Sequence, residues 1–189
     1  MNTRETILHC ARELFMERGY NNVSLRDVAD AAGIRVGNLT YHFPRKELLV
    51  EALFELRESR ILTPEALNTP EEFIAYLRHL LSVQRETSFY FDSYIQLSQT
   101  SERLRQFQCG RMERLRELFL SALRTMAERG DIPPESRPGD LDRRVELLLT
   151  ALMLRLPGEE RRLSPPAADE AVLERLMLLI GLKAPADRE

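Results

Sequence analysis

An all-α fold is expected for this chain of 189 residues, and three observations predict it. Apolar residues recur three and four positions apart along most of the sequence, the spacing of one helix face. No run sustains the two-residue alternation of a strand, and no Asn-Gly or Asp-Gly pair sits between apolar runs to turn a hairpin. Residues that end helices stand between the periodic stretches, Gly19, Gly33, Pro44 and Gly130 among them. About nine helices are expected in all.

The first helix carries Ile7, Leu8, Ala11, Leu14 and Phe15 on one face, with Asn2 or Thr3 as its cap and Gly19 as its stop. Ser24 opens the second, where its hydroxyl can accept from a free amide and Asp27 can reach back to complete a capping box. Leu25, Val28, Ala29 and Ala32 form its inner face. Gly33 ends it, Ile34 turns inward, and a third short helix runs from about Arg35 to Phe43. After Pro44 a fourth helix shows Leu48, Leu49, Ala52, Leu53 and Leu56. Thr69-Pro70-Glu71-Glu72 starts a fifth, with Phe73, Ile74, Leu77, Leu80 and Leu81 inward. An aromatic-rich sixth is expected over 88–99. A long seventh covers 101–129 with Leu104, Phe107, Met112, Leu115, Leu118, Phe119, Ala122, Leu123 and Met126. Three prolines make "DIPPESRPGD" a loop. Two further helices, around 140–156 and 168–181, are apolar nearly all round, the pattern of a helix buried on more than one side.

Composition narrows the function classes. The apolar fraction is 43%, the net charge is −3, and residues 1–50 hold seven Lys/Arg against six Asp/Glu. That balance permits nucleic-acid binding by the first segment and argues against binding by bulk charge. No apolar run approaches the ~18 residues of a membrane span, and the charges within "MNTRETILHC" do not fit a secretion signal. Cys10 and Cys109 are spaced for neither a metal nor a disulfide framework, so a reduced, cytoplasmic protein is expected, with no membrane partner.

Residues 31–46, "AAGIRVGNLTYHFPRK", hold the functional signal. Two short helices joined by a tight turn at Gly33-Ile34 and braced by longer ones make a helix-turn-helix, whose second helix lies in the DNA major groove. That second helix is built from weak helix formers, which suits a segment chosen for what its outer face touches. Gly37 lets the backbone approach the duplex, Asn38 and Thr40 can meet base edges or phosphates, and Val36 can meet a thymine methyl. Tyr41 and His42 can donate to phosphates, while Leu39 and Phe43 hold the helix down. Lys46 begins helix four, where a cation and free amides can clamp a phosphate.

The stretch "TRETILHCARELFMERGYNNVSLRDVADAAGIRVGNLTYHFPRKELLVEAL" resembles the DNA-binding domain of the tetracycline-repressor-like (TetR) family of transcriptional regulators. The likeness lies in the "LF-ERGY" end of helix one, "SLRDVADAAG" in helix two, and "G-L-YHF--KE-L" through helix three and its exit. It implies a helix-turn-helix DNA-binding domain at 1–46, continuing into helix four (46–60). The remainder, 47–189, would be a larger helical domain for ligand binding and dimerisation. Ser24 and Arg26 fall where the family contacts phosphate and sometimes a base, positions 35–42 supply the reading face, and Lys46 the clamp. Arg35 stands where a small capping residue is usual and Thr40 where tyrosine is usual, so the operator sequence does not carry over.

The resemblance thus implies a homodimeric repressor on a palindromic operator in double-stranded DNA, controlled by a small-molecule effector. Tyr76, Phe89, Tyr90, Tyr94 and Phe107, with Phe91, are the aromatic candidates for an effector pocket. Leu148, Leu152, Leu173, Met177 and Ile180, on the apolar terminal helices, are the candidates for a two-fold, four-helix interface. The alternative keeps the helix-turn-helix and replaces the effector with a protein partner, or the repressor with an activator. No nucleophile–base pattern, phosphate loop or metal cluster points to an enzyme, and no cofactor or metal is expected.

Overall fold

The computed structural model describes residues 2–60, 63–86, 89, 97, 99, 101–154 and 166–182. Among the described residues there are eight α-helices and no strand. They are α1 (Thr3–Arg18), α2 (Leu25–Ala31), α3 (Val36–His42), α4 (Lys46–Arg60), α5 (Pro70–Glu86), α6 (Glu102–Arg129), α7 (Asp140–Leu154) and α8 (Pro166–Ile180). A single 3-10 turn, Tyr20–Asn22, separates α1 from α2. The all-α architecture expected from the periodicity is therefore present. Of the helix expected over 88–99, only Phe89, Leu97 and Gln99 are described; the rest lies outside the described residues.

The chain divides into two compact units, residues 1–62 with 86–107 and residues 63–85 with 108–189. In the first, α1 begins with a reciprocal cap. Asn2 Oδ1 accepts from the Glu5 amide at 2.9 Å and Glu5 Oε2 accepts from the Asn2 amide at 3.0 Å. Two of the four free amides at the helix start are satisfied in this way. Ile7, Leu8, Ala11, Leu14 and Phe15 are all buried, as their spacing requires. Phe89, Leu97 and Leu104 share that core, and the Phe89 ring stands 5.4 Å from the Phe15 ring. The unit consequently draws on residues well beyond α4 to close its apolar interior.

One inward assignment on α4 is corrected. Leu56 is 49% exposed, whereas Val50 and Phe54 are buried beside Leu49, Ala52 and Leu53. The first turns of α6 claim that side of the helix. Ser101 Oγ donates to buried Glu51 Oε1 at 2.7 Å, Arg103 pairs with Glu55, and the Phe54 and Phe107 rings lie 5.8 Å apart. A single-face reading assumes one neighbour; a second neighbour rotates the buried stripe.

In the second unit, Thr69 Oγ1 accepts from the Glu72 amide at 3.2 Å to start α5, whose five expected core residues are all buried. Two α5 arginines reach the first turn of α8: Arg78 forks onto Glu170 at 2.6 and 3.0 Å, and Arg85 pairs with Asp169. Helices α7 and α8 pack on each other. On these two helices Leu148, Leu152, Leu173, Met177 and Ile180 are each buried within the single chain. Those five side chains, the candidates for a two-fold interface, are thus already covered within one chain. The outward leucines are Leu147 at 56%, Leu178 at 75% and Leu179 at 39% exposure. Each is one position from one of those buried residues, which is about 100° around a helix. Two helices that are apolar all round gave no sequence signal for which face turned in.

The end of α8 carries a testable constraint. Gly181 has φ +76°, and a Cβ there would lie 2.8 Å from Pro133 Cδ. Its left-handed conformation closes the helix, with the Leu182 amide donating to Met177 O at 3.0 Å. Gly181→Ala should cost about 1–3 kcal/mol in urea unfolding, from the backbone conformation and the proline contact together. An unchanged midpoint would contradict this closure.

Candidate nucleic-acid interface

The turn between α2 and α3 is made by Gly33 at φ +66°, the region where only glycine is free of Cβ strain. The Ile34 amide donates to Ala29 O at 3.0 Å and the Gly33 amide to Asp30 O at 3.1 Å, so the last carbonyls of α2 are used in the turn itself. Ile34 and Val36 pack against the core, and Leu39 and Phe43 are buried in it. These contacts fix one face of α3, and packing against α2 supports a seven-residue helix that would not persist alone.

The opposite face is open. Arg35, Gly37, Asn38 and Tyr41 are exposed, and Thr40 and His42 flank them half-buried. Tyr41 stands 82% exposed, its ring meeting the His42 ring edge-on at 5.3 Å. A Cβ built on Gly37 would meet nothing within 4 Å, and its φ is not positive. Neither packing nor backbone geometry within this chain requires glycine at that position. Thr40 Oγ1 donates to Gly37 O at 3.2 Å. Arg35 precedes α3 without any side-chain cap, the consequence of a long cation standing where a short acceptor would serve.

At the start of α2 the polar groups are spent internally. Ser24 Oγ donates to Asp27 Oδ2 at 2.5 Å and accepts from the Asp27 amide at 3.2 Å, and the Ser24 amide donates to the same carboxylate at 2.7 Å. The capping box expected from "SLRD" is thus complete, and the Ser24 hydroxyl proton is committed to it. Arg26 is exposed beside this cap. The Ser24 hydroxyl and amide hold the Asp27 carboxyl below the usual carboxylate range. A depressed pKa in the folded state makes the cap stabilising above about pH 4 and removes that contribution as acid protonates Asp27. Unfolding midpoints of the wild type and Asp27→Asn should therefore differ near neutrality and converge as acid takes the pH below the lowered pKa of folded Asp27. A gap that stayed constant with pH would contradict the assignment.

Lys46, expected as a free clamp, is engaged. Its Nζ donates to Tyr20 O and Val23 O, both at 2.8 Å, and lies 4.1 Å from the centre of the Tyr20 ring. Burial lowers its pKa from the ordinary lysine value. Burial also pushes the Tyr20 phenol up to about 12, helped by Glu47, whose carboxylate accepts from it at 3.5 Å. Nothing in the spacing of the sequence foretold that the carbonyls of the 3-10 turn would face Lys46. Asn21, Asn22, Val23, Ser24, Leu25, Asp27 and Lys46 line a shallow hollow at this junction.

The other candidates lie elsewhere. Tyr76 is buried in the second unit against Phe119, while Phe89 and Phe107 pack in the first unit against Phe15 and Phe54. Tyr90, Phe91 and Tyr94 fall outside the described residues. Among the described residues there is no cluster of His, Cys, Asp or Glu that could hold a metal, and no helix long and apolar enough to cross a membrane.

Comparison with known proteins agrees with this geometry. Residues 7–53 match the family described as bacterial regulatory proteins, tetR family. Over 50 residues the chain is 46% identical to the transcriptional repressor KstR2 of Rhodococcus jostii, covering 26% of this chain and 24% of that protein. Such matches span about a third or less of the length of the curated relatives. The fold extends further. A TetR-family regulator from Marinobacter aquaeolei superposes with a TM-score of 0.84 at 20% identity, over 100% of this chain and 94% of that one. AibR, solved with isovaleryl coenzyme A and operator DNA, superposes with a TM-score of 0.67 at 21% identity, over 96% of this chain and 100% of that one. At these identities the superpositions speak for the fold. The sequence match to the tetR family of bacterial regulatory proteins thus covers α1 to α4, and beyond it the chain shares the all-helical fold of TetR-family structures.

Proposed function

We propose that this chain is a DNA-binding transcriptional regulator, acting in the cytoplasm as a homodimeric repressor on a two-fold symmetric operator. The observation that carries the reading is the outer face of α3: an 82% exposed Tyr41 one helical turn from a glycine that no neighbour in the chain requires. Residues 1–46, continuing into α4, are the reading module, and residues 47–189 regulate and dimerise. Gly37 brings the backbone near the base edges, Asn38 and Thr40 read them, and Val36 meets a thymine methyl from the rim. Arg26, Arg35, Tyr41 and His42 contact phosphates, with Ser24 and Lys46 at the border of that face.

Repression is supported by KstR2, a repressor by name, and by AibR, whose structure holds operator DNA together with an acyl-coenzyme A. A small effector in the second unit fits the same pattern. Gln84 Oε1 is buried there without a hydrogen-bond partner among the described residues, although its amide nitrogen donates to Leu152 O at 2.6 Å. An effector with a donor group would find an acceptor at that position. The direct test is retardation of duplex DNA from the region upstream of the gene at low salt, for the wild type and for Tyr41→Ala. A retarded band that Tyr41→Ala weakens is expected; no band for the wild type, with or without metabolite extract, would overturn the proposal.

A further inference from the structure

Lys46 is the first residue of α4, yet its side chain belongs to the turn between α1 and α2. The two carbonyls it meets bracket the 3-10 turn, and Val23 is the residue immediately before Ser24, the cap of α2. An ammonium has three N–H donors. Two are spent on those carbonyls, and the charge lies over the face of Tyr20, which is itself buried and bonded to Glu47. Only the third N–H is left for a phosphate, and the Tyr20 ring competes for the charge that would draw one in. The phosphate would also approach the Asp27 carboxylate, which lines the same hollow. Arg26 and Arg35 lie exposed in the same unit, with no bond of this kind to give up.

We infer that Lys46 is a positioning residue, which pins the α1–α2 turn to α4 and so sets where α2, and α3 packed upon it, stand against the duplex, without itself contacting phosphate. The inference rests on the DNA-binding reading above and assigns this residue a different part in it. The geometry favours it for a mechanical reason. The position of α3 depends on α2, and the cap of α2, Ser24, directly follows a residue whose carbonyl Lys46 holds. Loss of the cation frees the turn while leaving the hydrophobic face of α3 in its core. Arginine can donate to two carbonyls and lie over a tyrosine ring, so it can perform the same task.

The test uses the full-length protein, the variants Lys46→Met and Lys46→Arg, and a duplex recovered from a random pool by the wild type. Affinity is measured over a series of salt concentrations, beside urea unfolding. The inference expects Lys46→Met to bind about tenfold more weakly, with the slope of log affinity against log salt unchanged and with recovery in Lys46→Arg. A slope that shrinks by about one for each subunit bound marks a phosphate contact and overturns it. Lowered stability with unaltered affinity marks a scaffold role alone and also overturns it. If the wild type recovers no duplex from the pool, the DNA-binding reading itself fails, an outcome distinct from both.

Discussion

Gly37→Ala should yield a protein at least as stable as the wild type that binds its selected duplex about tenfold more weakly or worse, about 1.4 kcal/mol. The two halves of this expectation come from one observation. A Cβ at Gly37 meets nothing within 4 Å inside the chain, and the residue holds ordinary helical backbone angles. Alanine in a helix is favoured over glycine by up to about 1 kcal/mol, less near the helix start, so the folded state gains. The added methyl points into the space that the duplex would occupy, and the backbone is held off by its radius. Titration of labelled duplex with both proteins, beside urea melts, measures the pair. Weaker binding with raised stability is expected. Equal binding would mean that this part of α3 does not approach the groove.

Leu178→Glu, alone and with Leu147→Glu, should convert a dimer to a monomer and weaken DNA binding about 100-fold or more, since linking two readers contributes 10²–10⁴ in affinity. Leu178 and Leu147 are 75% and 56% exposed in the single chain, so carboxylates there sacrifice little internal packing. In a two-fold interface each substitution appears twice, and burying an unpaired carboxylate costs several kcal/mol. Leu148→Ala supplies the contrast. That side chain is fully buried in the single chain, and its truncation should cost about 2–5 kcal/mol of stability. Sedimentation or light scattering separates the two effects. A Leu178→Glu protein that remained dimeric would place the interface elsewhere.

What the sequence disclosed depended on how many neighbours each helix has. The α1 stripe and the Ser24–Asp27 and Thr69–Glu72 caps were legible because each rests on spacing within one element. The outward face of α3 was legible for the same reason: Leu39 and Phe43 inward leaves Gly37, Asn38 and Tyr41 outward. Leu56 was misplaced because a second neighbour, α6, chose the buried side of α4. The Lys46 contacts were not legible, since they join a side chain to backbone carbonyls 23 and 26 residues away. A carbonyl has no letter in the sequence. Among the aromatic candidates, Phe89 and Phe107 pair with core rings of the first unit, a use that rings at helical spacing share with pocket walls.

Selection of bound duplex from a random pool by the purified wild-type protein bears most directly on the claim that α3 of two copies reads DNA. A two-fold symmetric consensus is predicted, with half-sites centred about one helical turn, ~34 Å, or a multiple of it apart. No enrichment over the starting pool, or an asymmetric site bound by one copy, would contradict it.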